Sequence, residues 1–198
     1  EKFFDIKCRI GKLKPSAIVL VATLKSLKYN AGVLKEDILK ENVNAVIEGA
    51  SNLKAHVENL KKFQIPIVVC LNRYQEDTDS EIKALRKFCN ELGVLLEEST
   101  AYTEGGSGAI SLAKTVLNLV EQKSELQYQY NLHDSIETKI EKLAHQIYHA
   151  KTVSYSEIAK RKIEQLRGTP YQKYPVCIAK TQYSLSDDPK KLGNPEDF

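Results

Sequence analysis

The stretch IPIVVCLNRYQEDTDSE, residues 65–81, decides how the rest of the chain is read. Residues 65–74 read as a strand. The apolar run then breaks into Asn72, Arg73 and Tyr74, followed by Glu76 and Asp77. Thr78 and Glu81 next stand in the pattern of a capping box, in which two side chains satisfy the free amide groups at a helix start. A strand that feeds straight into a capped helix is half of a βαβ unit. Such a unit needs partner strands on either side.

Three more strands are expected. SAIVLVAT, residues 16–23, follows Pro15 and reads as a strand buried on both faces. VLLEEST, residues 94–100, is a shorter third, and YPVCIAKT, residues 174–181, a fourth. Helical periodicity fills the gaps. Leu39, Val43, Val46, Ala50, Leu53, Val57 and Leu60 alternate in spacing between four and three, which puts them on one face of a long helix. Ile82, Leu85, Phe88 and Leu92 mark a second helix. Ile110, Ala113, Val116, Leu117 and Val120 mark a third, and Ile136, Ile140, Leu143 and Ile147 a fourth. A short fifth near 155–167 ends at Gly168. Strands alternating with helices predict an α/β fold, a three-layer parallel sheet with helices on both faces. Residues 1–123 are expected to form this α/β substrate-binding domain. The tyrosine-rich connector SELQYQYNLH, residues 124–133, leads into a more helical unit over 124–198.

Composition narrows the function classes. Of 198 residues, 42% are apolar and 28% charged, the balance of an ordinary globular protein. A net charge of +3, with lysines dispersed along helices, gives no footprint for nucleic acid. The four cysteines form no CxxC pair, so zinc has no support. Cys70 and Cys177 lie in apolar runs and read as small buried hydrophobes. Reducing cytosol fits them. No apolar run reaches the roughly 18 residues of a membrane span. The chain has no methionine and opens on Glu1, which predicts a fragment of a longer protein.

In open parallel sheets, ligands bind outside the carboxyl ends of the strands. The first strand delivers Thr23, Lys25 and Lys28 there. The second delivers Asn72, Arg73, Tyr74, Glu76 and Asp77. The third delivers Ser99, Thr100, Tyr102 and the run Gly105-Gly106-Ser107-Gly108, and the fourth Lys180, Thr181, Gln182, Asp187 and Asp188. Each has a bland reading. Asn72 caps a turn, the glycine run is a flexible loop, and Asp187-Asp188-Pro189 is a solvated turn. The functional reading of the glycines is close approach of backbone N–H groups to a ligand at a helix start. No GxxxxGK[ST] phosphate loop exists in the chain. Tyr74 and Tyr102 either sandwich a flat heterocycle or pack each against its own helix.

Several of these stretches together resemble one family. EKFFDIKCR at 1–9, VATLKSLKYNAG at 21–32, NLKAHVENLKKF at 52–63, the opening stretch, YTEGGSGA at 102–109 and PVCIAKTQYSLSDDP at 175–189 are similar to formate–tetrahydrofolate ligase. The resemblance covers the whole chain. It implies an ATP-dependent ligase of one-carbon metabolism that makes 10-formyltetrahydrofolate from formate, ATP and tetrahydrofolate through formyl phosphate. ATP would arrive with Mg, and monovalent cations would activate. The family is usually homotetrameric, and a cytoplasmic enzyme with neither membrane nor nucleic acid as partner is implied. The family's phosphate loop lies upstream, so an internal to C-terminal portion, inactive alone, is expected.

Residue by residue, the resemblance implies that Tyr74 and Tyr102 hold the folate pterin. It implies a nucleotide role for Asn72, Asp77, Gly105 and Gly106. Lys25, Lys180, Thr181 and Gln182 become contacts to an anion or substrate. Leu24, Lys25, Ser26 and Ala31 depart from the family's usual pattern. Lys25 keeps the charge of the usual arginine but loses its planar fork. The competing readings are a non-catalytic folate-binding or subunit-assembly fragment, a diverged paralogue, and, more distantly, a nucleotide switch protein.

Overall fold

The structure, a computed structural model, is described for residues 1–179. It divides into two compact units, Pro15–Glu125 and a second made of Glu1–Lys14 with the described residues from Leu126.

In the first unit, β1 is Ile18–Ala22, α1 Leu24–Asn30, α2 Val43–Lys61, β2 Ile67–Asn72, α3 Asp79–Glu91, β3 Leu95–Ser99 and α4 Ile110–Val120. The strands form a parallel sheet in the order β1-β2-β3. Val21 stands opposite Cys70, which stands opposite Glu97; Asn72 stands opposite Ser99. Strand side chains alternate between faces. Ile18, Leu20 and Ala22, with Ile67, Val69, Leu71 and Leu96, meet α1, α2 and α3 in one core that includes Leu24, Val46, Leu53, Val57 and Leu85. Burying each such Leu or Val contributes about 1.5–3 kcal/mol. The α1–α2 contact is closest at Gly49, where a Cβ would stand 1.8 Å from the Leu27 carbonyl oxygen. Helix α4 covers the other face of β2 and β3. The α/β class with helices on both faces is as the sequence predicts.

Four details differ from the sequence reading, each for a local reason. Helix α2 starts at Val43, because the Asn42 side chain caps it by accepting the Ala45 N–H at 2.9 Å; Leu39 lies in the turn before it. Strand β1 is buried on one face only: Val19 and Val21 are 41% and 61% exposed. Helix α4 is rotated from its expected apolar face. Ser111 and Thr115 turn inward because their hydroxyls donate to the two oxygens of Glu97 at 2.6 and 2.7 Å. Leu119 is buried, while Ile110, Leu117 and Val120 are exposed. The fourth strand is absent from 174–179: no ladder forms there, and Cys177 is exposed rather than buried.

The second unit contains a π-helical segment Lys2–Cys8 running into Arg9–Gly11, helix α5 over Ile136–Gln146 and α6 over Glu157–Leu166. The sequence predicts residues 1–14 as part of the first unit. They pack instead with the 126–133 segment. The buried Asp5 carboxylate accepts the Gln129 N–H at 2.8 Å, and Arg9 donates to the Tyr130 carbonyl at 2.8 Å. The Arg9 guanidinium lies 4.0 Å from the Tyr128 ring centroid and 5.0 Å from that of Tyr130. Those tyrosines are a docking seam rather than a bare connector. Among the described residues no helix is long and apolar enough to cross a membrane.

Candidate functional site

The candidate site is the rim formed by the carboxyl ends of the strands in the first unit. After β2 the chain enters a tight turn. The Asp77 carboxylate accepts the Tyr74 N–H at 2.9 Å, and the Asp77 N–H donates back to the Tyr74 carbonyl at 3.2 Å. An aspartate that folds back on its own backbone is a standard way to fix such a turn. Here it roots the Tyr74 ring at the rim. Burial pushes the Asp77 carboxyl above its ordinary range, against the pull of the Tyr74 N–H. Arg73 points along the sheet and pairs with Glu98 at 3.0 Å and Asp79 at 3.1 Å.

Beneath that turn lies a buried ion pair. Lys28 of α1 and Glu81 of α3 are both inaccessible and stand 2.9 Å apart. The same Glu81 oxygen accepts the Asn42 N–H at 2.8 Å, and Lys28 also donates to the Lys40 carbonyl at 3.0 Å. Thr78 and Glu81 complete the capping box at the start of α3. Burial by itself pushes the Glu81 carboxyl up. The hydrogen bonds from Asn42, Lys28 and Thr78 together outweigh it and hold the group below its ordinary value. One carboxylate thus joins α1, the turn before α2 and the start of α3.

Lys25 sits in the first turn of α1, which Thr23 caps by accepting the Ser26 N–H at 3.1 Å. Its ammonium lies 3.8 Å from the centroid of the Tyr74 ring and 3.3 Å from a Glu76 carboxylate oxygen. The Glu76 carboxyl is held below its ordinary value by its own backbone N–H and by Lys25.

The loop after β3 is built differently. The Thr100 N–H donates to the Gly108 carbonyl at 3.0 Å, closing the loop at its base. A Cβ at Gly108 would come within 2.4 Å of the Thr100 hydroxyl and 2.6 Å of its carbonyl carbon, so that approach demands glycine. Thr100 donates to Glu104 at 2.7 Å. Residues Ala101–Glu104 make one helical turn, and Gly105–Ala109 a 3₁₀ turn that runs into α4. Gly105 takes φ +63°, which suits glycine, and a side chain at Gly105 or Gly106 would meet only open space. Tyr102 at the tip is 93% exposed.

The structure therefore brings Lys25, Tyr74 and Asp77 into one cluster at the β2 end, and puts Asn72 on β2 opposite Ser99, whose strand leads into the Tyr102 loop. Tyr102 does not pack on its own helix, and among the described residues no ring contact joins it to Tyr74. Gly105 and Gly106 lie in the 3₁₀ turn before α4 rather than in a flexible loop. Lys180, Thr181, Gln182, Asp187 and Asp188 lie outside the described residues. Glu76 and Lys28 stand among the rim residues the sequence delivers, whereas the pairing of Lys28 with Glu81 and the Glu97 cluster are additions of the structure. Of that pairing and that cluster, the sequence shows Lys28 as a rim residue and Glu81 as half of the capping box. No three His, Cys, Asp or Glu side chains among the described residues converge in a way that would hold a metal ion. A groove of about 760 Å³ lined by Arg9, Ile10, Leu132, Pro170 and Tyr174 belongs to the second unit and contains none of the rim residues.

Comparison with known proteins gives one answer. The family model for formate–tetrahydrofolate ligase matches residues 1–198. A formate–tetrahydrofolate ligase of Petrotoga mobilis is 48% identical over 198 residues. One of Campylobacter concisus is 45% identical over 199. Each alignment takes in the whole of this chain and 36% of the relative's length.

Proposed function

The chain belongs to the formate–tetrahydrofolate ligase family; from that premise we propose that its rim is the pterin-binding edge of an ATP-dependent ligase. The full polypeptide would join formate to tetrahydrofolate through formyl phosphate and release 10-formyltetrahydrofolate. The reading rests on one observation: Tyr102, a large aromatic ring, stands almost wholly in solvent at a strand end. No fold requirement explains it, because removing the ring would uncover nothing. A flat heterocycle stacked on it would gain on the order of 1–3 kcal/mol.

The remaining parts of the rim fit supporting roles. Tyr74 supplies a second ring whose root is fixed by Asp77. The open space around Gly105 and Gly106 lets a ligand approach the backbone N–H groups closely. Asn72 and Asp77 remain nucleotide-side candidates, with Asp77 already engaged in its turn. Lys25 carries the charge for an anionic substrate group, and Lys180, Thr181 and Gln182 are proposed to act with it. The chain has no phosphate loop, so the β- and γ-phosphates of ATP would be held elsewhere in the polypeptide. Magnesium would come with the nucleotide, since the described residues offer it no cluster. Monovalent cation activation, a homotetramer and a cytoplasmic setting complete the proposal.

The test is calorimetric titration of the full polypeptide with tetrahydrofolate, in wild type and Tyr102→Ala. Micromolar binding weakened fivefold or more in the variant supports the reading. Equal binding by the two proteins removes Tyr102 from the site. A second reading, subunit assembly, is favoured by the exposed Val19, Val21, Ile110 and Leu117. Charged substitutions at Val21 and Leu117 that dissociate the protein in sedimentation, with folate binding intact, would support it.

A further inference from the structure

One face of Tyr74 is already occupied. The Lys25 ammonium rests 3.8 Å from the ring centroid, well inside cation–π range, and a Glu76 oxygen holds it there at 3.3 Å. The three groups come from two rigid roots. Lys25 leaves the Thr23-capped first turn of α1, and Tyr74 and Glu76 flank the turn that Asp77 fixes. Tyr74 is still 40% exposed, so the ring has surface left to offer a ligand.

We propose that Lys25, positioned by Glu76, makes Tyr74 a one-sided, cation-backed platform that favours an electron-rich reduced pterin over its oxidised counterpart. The inference rests on the pterin reading above and specifies it further. An aromatic face is negative, and a cation beneath it draws on that charge. The opposite face becomes less negative and stacks better on a ring rich in electron density. A tetrahydropterin has a saturated second ring, and its remaining pyrimidinone carries electron-donating amino groups. The oxidised pterin is a fully conjugated pair of rings whose nitrogens withdraw electron density, so it is electron-poor and gains less. Lys25 is thereby a specificity-determining residue, and Glu76 a positioning residue that acts only through it.

The experiment compares dissociation constants for tetrahydrofolate and folic acid on the full polypeptide, in wild type, Lys25→Gln, Lys25→Arg and Glu76→Gln. The readout is the ratio of the two constants. Both ligands carry the same glutamate tail, so a lysine that merely attracted that tail would change both constants alike and leave the ratio fixed. Lys25→Gln is expected to reduce the preference for the reduced ligand by roughly threefold to fivefold, the size of a solvent-exposed cation–π contact. Lys25→Arg, which keeps a cation over the ring, retains the preference, and Glu76→Gln falls between. An unchanged ratio in Lys25→Gln, with wild type binding tetrahydrofolate, overturns the platform and leaves the pterin reading standing. Absence of binding of either ligand by wild type overturns both.

Discussion

The loops after β2 and after β3 each carry a tyrosine, yet they hold it in opposite ways. Tyr74 is rooted by Asp77, faced by Lys25 and set above the buried Lys28–Glu81 pair. Tyr102 rides on a loop closed by its own backbone, and almost its whole surface meets water. The first ring is placed before any ligand arrives. On the proposed pterin reading, the second gives up rotamer freedom on stacking, a cost of about 0.5–1.5 kcal/mol for an immobilised side chain. A rim with one fixed jaw and one adaptable jaw can align a ligand on the first and close on it with the second.

The sharpest way to break this contrast is to remove its buried anchor. Glu81→Ala leaves Lys28 buried without its partner, and losing one member of a buried pair costs about 3–5 kcal/mol. Urea denaturation should show that loss. Native-state hydrogen exchange should show the Tyr74 and Asp77 amides exposed while the Thr100 amide stays protected. Equal loss at both loops would mean that they are not independent. Next in size, Gly108→Ala forces a Cβ against Thr100 and should destabilise by about 1–3 kcal/mol, the usual range for overpacking. Its exchange pattern should be the mirror image, with the second loop opening and the first unchanged.

Tyr102→Ala sharpens the contrast from the side of function. Stability should stay within about 0.5 kcal/mol of wild type, as for other exposed positions, while pterin affinity falls by about 1–3 kcal/mol. Tyr74→Ala should lose affinity and some stability together, since its ring also meets Lys25. Differential scanning calorimetry beside ligand titration separates the two.

The smallest effect concerns pH, and the two carboxylates of the first loop run in opposite directions. Glu81 sits below its ordinary 4.5 in the fold, so its contribution is present above that value and is lost as pH falls through the lower folded value. Asp77 sits above its ordinary 3.8, so its contribution is full below 3.8 and is lost as pH rises through the raised value. Asp77→Asn keeps an acceptor for the Tyr74 N–H without the charge. It should be neutral to slightly stabilising at pH 7, with the difference from wild type fading as the pH is lowered through the raised Asp77 value. A difference that grows on acidification would reverse the assignment for Asp77.

How much of this was legible in the sequence depends on distance along the chain. Strands β1, β2 and β3 and the Thr78–Glu81 cap are written in neighbouring residues, and the sequence predicts them. The second duty of Glu81 is not, since its partners Lys28 and Asn42 lie 53 and 39 residues away. The inward turn of α4 follows from Glu97, a charge in mid-strand whose need for hydroxyl partners no periodicity records. The N-terminal segment joins the second unit through Arg9 and Asp5, which bond to residues 121 and 124 positions on. The expected fourth strand shows that an apolar run need be neither sheet nor core: at 174–179 no residue is fully buried, and the Val176 N–H goes to the Tyr130 hydroxyl at 3.1 Å. Of the rim, the motif shows the two tyrosines, but the cation on Tyr74 comes from Lys25, distant in sequence.

The bond from Thr100 to Gly108 has a consequence for how such a rim diversifies. It works as a clasp, isolating seven intervening positions from the strand before them and the helix after them. Lengthening that segment, or exchanging the residue at its tip, disturbs neither the ladder nor the helix, because the strain stops at the clasp. Single substitutions can therefore reshape the surface presented at that tip, and the architecture beneath has no need to answer.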